Sequence, residues 1–90
     1  METTEIRERI KGIIAKIGGL DRAKIGDRDS LVDDLRLDSL SLLEIGVDVD
    51  LEFGLNLPDE SYRGVGTVPA MVGLVEQRLA ELQGVNVTAR

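Results

Sequence analysis

The 90-residue chain contains no cysteine and no histidine. Without cysteine it has no disulfide framework, no zinc–thiolate site and no catalytic thiol, which agrees with a reducing compartment. Without histidine it has no serine–histidine or cysteine–histidine relay, and it lacks the commonest transition-metal ligand. The chain therefore lacks the cysteine or histidine that a nucleophile–base pair of this kind requires, and the sequence gives no support for an enzymatic function.

Aromatic residues and long apolar runs are also scarce. The chain has one Phe, one Tyr and no Trp, so its core is predicted to be aliphatic. No apolar run approaches the length of a membrane span, and the N-terminal METTEIRERIKG is charged where a signal peptide has an apolar block. We therefore expect one small, soluble domain in the cytoplasm.

Basic residues are missing from one segment in particular. The net charge is −6, and residues 38–60 contain seven acidic residues but no Lys or Arg. Such a segment repels nucleic acid and favours basic protein surfaces. Charge on an exposed helix often serves solvation alone, but exposed helices commonly mix both signs. The composition favours partner docking and leaves solvation as the alternative.

Helical spacing of the apolar residues predicts a first helix from about 4 to 17. Thr3 or Thr4 is the predicted cap, and Gly18 and Gly19 end the helix. The predicted buried positions are Ile6, Ile10, Ile13, Ile14 and Ile17.

A second helix is predicted between Asp38, which is a good cap, and Gly54. Two adjacent stripes give it a wide apolar face: Leu40, Leu43, Val47 and Leu51 form one, and Leu42, Ile45, Val49 and Phe53 form the other. Thr67 caps a last helix that extends to about Leu82, and a short helix is expected after Pro58. The long connection over 18–37 contains scattered aliphatic residues, which favours packing by its own side chains.

Ser39 is the principal candidate for chemistry. It follows the Asp38 cap, in a first helical turn where unpaired backbone N–H groups and the helix dipole would stabilise an attached phosphate. Asp-Ser is also ordinary cap chemistry, and the local pattern leaves both interpretations open. A hydrolase nucleophile is not favoured, because RLDSLSL lacks the glycines of a nucleophile elbow.

Two acidic groups superficially suggest metal sites. DVDLEF, residues 48–53, has acids at alternate positions, but Phe53 stands where a calcium loop requires glycine. Asp33 and Asp34 are predicted to be solvated loop acids, although they could approach Asp38. We predict no metal site.

The segment DDLRLDSLSLLEIGVDVDLEFGLNLPDE, residues 33–60, resembles the central region of acyl carrier proteins. The matching elements are D-S-L at 38–40, E-F-G at 52–54 and P-D-E at 58–60. GTVPAMVGLVEQRL is similar to the start of the family's last helix, and the likeness covers about 4–82.

The resemblance implies an all-α four-helix bundle with three main helices, one short helix and a long first loop. The carrier domain is placed over 1–83, and residues 84–90 are predicted from their own sequence to form a flexible tail. The resemblance also implies that Ser39, flanked by Asp38 and Leu40, receives 4'-phosphopantetheine from coenzyme A through a magnesium-dependent phosphopantetheinyl transferase. The thiol would then hold acyl groups as thioesters for fatty-acid, polyketide or specialised lipid enzymes, and the chain itself would not be an enzyme.

Partner and cargo surfaces follow from the same resemblance. The implied partners are the transferase, an acyl-loading ligase or transferase, and ketosynthase-type or other acyl-processing enzymes. The implied docking residues are Leu40, Glu44, Val47, Asp48, Asp50 and Glu52. The implied lining of an acyl cavity is Leu43, Gly46, Val47, Phe53 and Val72.

Four positions depart from the family pattern. Arg36 replaces a glycine, Ser41 and Leu51 stand where acids are common, and Gly46 stands where a bulkier apolar residue is usual. These departures predict a carrier dedicated to a specialised pathway, such as polyketide, modified-lipid or siderophore assembly. Gly46 either enlarges the cavity or is a small residue tolerated near another helix. The alternatives to an acyl carrier are an unmodified acidic docking module and an aminoacyl or peptidyl carrier of nonribosomal synthesis.

Overall fold

The computed structural model describes residues 1–84, which form three α-helices and two short 3-10 helices. The three long helices are α1, Thr3–Gly18; α2, Ser39–Phe53; and α3, Val68–Leu82. The 3-10 helices are Arg22–Lys24 and Asp59–Tyr62. The all-α prediction is confirmed, and the expected short helix is Asp59–Tyr62. The tail predicted over 84–90 lies, apart from Gly84, outside the described residues.

The start of α1 differs from the prediction. Glu2 is the cap residue and its side chain makes no cap hydrogen bond, while Thr3 already lies within the helix. The Thr3 hydroxyl donates instead to the Glu76 carboxylate on α3, so it joins two helices. The predicted end is confirmed, because Gly19 adopts a left-handed φ of 66°, a conformation that glycine reaches without steric cost.

Aliphatic side chains from all three helices and from the connection form the core, as predicted. α1 packs against both α2 and α3. The buried residues of the helices include Ile6, Ile10, Ile14, Ile45, Val49, Phe53, Val68, Met71 and Val75. The long connection between α1 and α2 adds Ile25, Leu31 and Leu37 to this core.

Backbone hydrogen bonds tie the long connection to the start of α3. The Leu31 amide donates to the Gly66 carbonyl at 2.8 Å, and the Val68 amide donates to the Asp29 carbonyl at 3.0 Å. Leu31 itself is 1% exposed. The predicted packing of this segment is therefore confirmed, and the chain that leads into α2 is anchored to the core and to the start of α3.

Only one of the two apolar stripes of α2 is buried. Ile45 and Val49 have no exposed surface. The other stripe faces outward, with exposed fractions of 63% at Leu40, 58% at Leu43, 47% at Val47 and 75% at Leu51. The wide apolar face predicted from the pattern is thus split, because the core buries one side of the helix, whereas each residue on the other side keeps 47–75% of its surface exposed. We call Leu40, Leu43, Val47 and Leu51 the outer stripe.

Within residues 1–84, no helix combines the length and the apolarity needed to cross a membrane.

Candidate functional site

Ser39 lies at the N-terminus of α2 with its side chain exposed. Asp38 precedes it in extended conformation as the cap, and the Asp38 carboxylate accepts the Ser41 amide at 2.8 Å. Among the described residues, the Ser39 hydroxyl has no hydrogen-bond partner. The hydroxyl is therefore accessible at the positive end of a helix, where the amides of the first turn are not all used.

The Asp38 carboxylate is held in its charged form. Hydrogen bonds from the backbone and the side chain of Ser41 lower the pKa of Asp38 below its ordinary value. Asp38 is therefore an anion at neutral pH and caps the helix by a charge-assisted hydrogen bond. The site consists of a cap that is charged at neutral pH and an unbonded hydroxyl next to it.

The backbone just before the site makes a tight turn through Arg36. Arg36 has a left-handed φ of 58°, and the Leu37 amide donates back to the Leu31 carbonyl at 3.0 Å. A left-handed conformation costs a residue with a side chain about 1–2 kcal/mol. The turn gives a physical reason why glycine suits this position, whereas the sequence showed only the change of charge at Arg36.

The acids of α2 differ in their surroundings. Glu44 is exposed and Asp48 is half-buried, and neither forms an ion pair with a described residue. Glu52 is exposed and pairs with Arg9 of α1 at 3.2 Å. Glu44 and Asp48 therefore keep their charge available for a partner, and Glu52 has part of its charge neutralised.

Asp50 faces inward, which departs from its predicted place on the docking surface. Its carboxylate accepts the Asn56 amide at 3.1 Å, the Leu57 amide at 3.0 Å and the Tyr62 hydroxyl at 2.7 Å. Burial alone would raise the pKa of Asp50, but these hydrogen bonds outweigh it and lower the pKa. Asp50 therefore anchors the loop after α2. No local pattern in the sequence indicates this role, because its donors lie six, seven and twelve residues away.

A cavity of about 280 Å³ opens beside Ser39, between α2 and the segment that contains Asp59–Tyr62. Three residues predicted to line a cavity, Leu43, Gly46 and Val47, lie on its wall. Phe53 and Val72 lie in the buried core, outside this lining. The structure also brings residues to the wall that the sequence analysis did not select: Leu31, Leu42, Asp50, Leu57, Asp59, Tyr62, Arg63, Gly64, Val65 and Met71.

Gly46 lies directly under the ring of Tyr62. A Cβ atom placed on Gly46 would be 3.3 Å from Cγ and 3.4 Å from Cβ of Tyr62. Such distances are tighter than ordinary van der Waals contact, so the absence of a side chain here makes room for the ring. Of the two explanations for Gly46, close approach to a neighbouring element is the one the geometry favours.

Metal binding gains no support from the described residues. In residues 1–84, no group of three or more acidic side chains is arranged to hold a metal ion. The DVDLEF segment is part of α2, and the Asp34 carboxylate accepts the Ser30 amide at 2.7 Å within its turn. These acids have roles in the helix surface and in a loop.

Comparison with known proteins gives consistent matches. The family described as "Phosphopantetheine attachment site" matches residues 8–75. The acyl carrier protein of Zymomonas mobilis is 34% identical over 77 residues, covering 86% of this chain and 99% of that protein. The meromycolate extension acyl carrier protein of Mycobacterium tuberculosis is 37% identical over 73 residues, covering 81% of this chain and 64% of that protein.

A solved structure matches as well. The acyl carrier protein of Enterococcus faecalis aligns with a TM-score of 0.68 and 27% identity, over 87% of this chain and 99% of that one. The match to the family covers both sides of Ser39 and most of the described helices.

Proposed function

Because this chain belongs to the acyl carrier protein family, which carries a covalent 4'-phosphopantetheine, we propose that Ser39 is the residue to which the group is attached. The observation that carries the proposal is the exposed, unbonded hydroxyl at the N-terminus of α2, within D-S-L and beside a cavity. The first-turn amides and the helix dipole suit a phosphodiester at this position. The residues present therefore fit the group.

Attachment is a phosphoryl transfer onto the serine oxygen. Oγ of Ser39 attacks the pyrophosphate of coenzyme A, and a new P–O bond forms as the P–O bond to the adenosine bisphosphate breaks. The leaving group takes the bonding electron pair, and the serine proton passes to a base of the magnesium-dependent transferase. This chain contributes an accessible hydroxyl, held at the start of α2 by the Asp38 cap.

The attached thiol supplies the thioester chemistry by which acyl groups are carried. The chain itself has the role of a carrier, and the enzymes that load and process the acyl group perform catalysis. We propose that these partners are a phosphopantetheinyl transferase, an acyl-loading ligase or transferase, and ketosynthase-type enzymes. We further propose that the carrier works as a monomer in the cytoplasm.

The outer stripe and the neighbouring acids are the proposed docking surface. The stripe is apolar and exposed along α2, and it starts next to Ser39. Glu44 and Asp48 are without ion-pair partners among the described residues, so their charge can steer a basic partner. Asp50 is left out of this surface because its carboxylate is used internally.

Dedication to a specialised pathway is the finer proposal. It rests on the positive charge of Arg36 before the site and on Leu51, which is 75% exposed where an acid is common in the family. We expect that this carrier does not support ordinary malonyl-dependent elongation when it is combined with housekeeping fatty-acid enzymes. Support equal to that of a housekeeping carrier would contradict the proposal.

Intact mass spectrometry tests the attachment site. The wild type, Ser39→Ala and Ser41→Ala are incubated with coenzyme A, magnesium and a broad-specificity transferase. We expect one phosphopantetheine on the wild type and on Ser41→Ala, and none on Ser39→Ala. Circular dichroism confirms that each variant is folded. Modification that persists in Ser39→Ala would show another attachment site, and no modification of the folded wild type would favour an unmodified docking module.

A further inference from the structure

The ring of Tyr62 lies along α2 from Gly46 to Asp50. Its carbon atoms pack over Gly46, where an added Cβ would approach Cγ of the ring to 3.3 Å. Its hydroxyl donates to the Asp50 carboxylate at 2.7 Å, one helical turn further along α2. The only tyrosine of the chain is therefore held at both ends against the helix that carries Ser39.

Asp50 keeps Tyr62 in position because other hydrogen bonds fix the Asp50 carboxylate. The Asp50 carboxylate also accepts the amides of Asn56 and Leu57, which belong to the loop that leads to Tyr62. Asn56 adopts a left-handed φ of 55°, and this bend turns the chain back toward Asp50. Burial first and the Asp50 hydrogen bond second raise the pKa of Tyr62, so its hydroxyl stays protonated and keeps its role as the donor.

All three residues of this arrangement lie on the wall of the cavity beside Ser39: Gly46, Asp50 and Tyr62. The α2 residues on the cavity wall follow one another along the helix from Ser39 through Leu42, Leu43, Gly46 and Val47 to Asp50, so an apolar chain that follows α2 from Ser39 reaches the bonded Asp50 last. No residue of α2 beyond Asp50 lies on the cavity wall, so a longer chain that follows α2 would have to displace the ring and separate the hydroxyl from the carboxylate. Separation would leave a charged, partly buried carboxylate without one of its donors, which is unfavourable.

We propose that Tyr62, packed on Gly46 and bonded to Asp50, sets the depth of the cavity beside Ser39 and limits its occupant to short acyl chains. The inference rests on the carrier function proposed above. It makes Tyr62 a specificity-determining residue, and it explains why a glycine occupies the middle of α2.

The test uses the absence of cysteine from the chain. Ser39→Cys creates a single thiol, which is alkylated with N-alkyl iodoacetamides of increasing length from ethyl to dodecyl. The melting temperature of each adduct is then measured. Alkyl groups that fit the cavity stabilise the fold more as they lengthen, whereas methylene groups that remain in water add nothing. The chain length at which the gain stops reports the depth.

Variants in the Ser39→Cys background identify what sets that length. In Tyr62→Ala, we expect the melting temperature to keep rising up to alkyl chains that are several methylene groups longer than in the parent. Tyr62→Phe keeps the ring but loses the bond to Asp50, and we expect an intermediate length. Leu79→Ala removes a partly buried side chain outside the cavity lining, so it should lower the melting temperature and leave the length unchanged.

The contrary results are distinct. Equal lengths in the parent and in both Tyr62 variants would overturn the proposal, as would a parent that gains no stability from any alkyl chain. If Tyr62→Ala does not fold, Tyr62→Phe and Tyr62→Leu decide the question. Amide NMR shifts at Gly46 and Tyr62 on alkylation provide a second readout. Because alkylation needs no transferase, this inference can fail while Ser39 is modified as proposed, and the reverse also holds.

Discussion

α1 and α2 are nearly equal in length, with 16 and 15 residues, but they use their side chains differently. The isoleucines of α1 at 6, 10 and 14 are buried, and its charged residues other than Lys16 form ion pairs, such as Arg9 with Glu5 at 2.9 Å and Lys11 with Asp27. α2 exposes the four apolar residues of the outer stripe and leaves Glu44 and Asp48 without ion pairs among the described residues.

The difference separates side chains that hold the fold from those available to a partner. Buried apolar area stabilises a small domain, and exposed leucines add little to its stability. A helix that presents apolar and acidic residues around an exposed serine is instead suited to repeated docking by enzymes with basic surfaces. The comparison therefore predicts that substitutions on the two sides of α2 affect different measurements.

The largest expected difference in stability is between two variants on opposite sides of α2. Ile45 has no exposed surface, and Leu51 is 75% exposed. Ile45→Ala should lower the free energy of unfolding by about 2–5 kcal/mol, because it removes core contacts and leaves a cavity. Leu51→Ala should change it by no more than about 0.5 kcal/mol. Urea denaturation of both variants measures the values, and equal losses would break the comparison.

A smaller effect should separate the inward Asp50 from the outward Asp48. At neutral pH, Asp50→Asn should lower the free energy of unfolding by about 2 kcal/mol, because it weakens hydrogen bonds to a charged carboxylate. Asp48→Asn should stay within about 0.5 kcal/mol of the wild type.

The effect of Asp50 should depend on pH. The pKa of Asp50 is lowered in the folded protein, so its contribution is present above the ordinary aspartate pKa of about 3.9 and is lost as the pH falls through the folded value. Urea denaturation at a series of pH values should show the wild type and Asp50→Asn converging below about pH 4. A difference that persists unchanged in acid would assign the effect to packing.

The smallest effect on stability should come from the exposed acids. Glu52→Gln removes an exposed pair with Arg9, and we expect a loss of up to about 1 kcal/mol. Glu44→Gln removes no intramolecular pair, so its stability should equal that of the wild type.

The rate of phosphopantetheine attachment should respond to these two substitutions in the opposite order. At low salt, Glu44→Gln should slow modification by a transferase more than Glu52→Gln does, because Arg9 already neutralises part of the Glu52 charge. The difference should disappear at high salt, where surface charges are screened. The same rate for both variants at low salt would remove Glu44 from the docking surface.

Local sequence determined the helices and the position of Ser39. Asp38, Gly54 and Thr67 mark helix boundaries by short-range capping, which needs no other part of the chain. D-S-L at 38–40 placed the candidate serine at a helix start, and the structure finds it there. The predicted cap of α1 is wrong because Thr3 finds a partner on α3, which is a contact that local sequence does not describe.

Tertiary structure decided which apolar and acidic residues are available to a partner or a cargo. Periodicity marks both stripes of α2 as apolar, but only the packing of α1 and the core shows that the outer stripe is exposed. The charge of Asp50 is visible in the sequence, whereas its inward hydrogen bonds depend on a loop that folds back from Asn56 to Tyr62. The contact of Tyr62 with Gly46 joins residues from separate elements in the same way. Capping acts within one helical turn and is therefore readable along the chain, but the depth of the cavity depends on contacts that exist only once the loop has packed on α2.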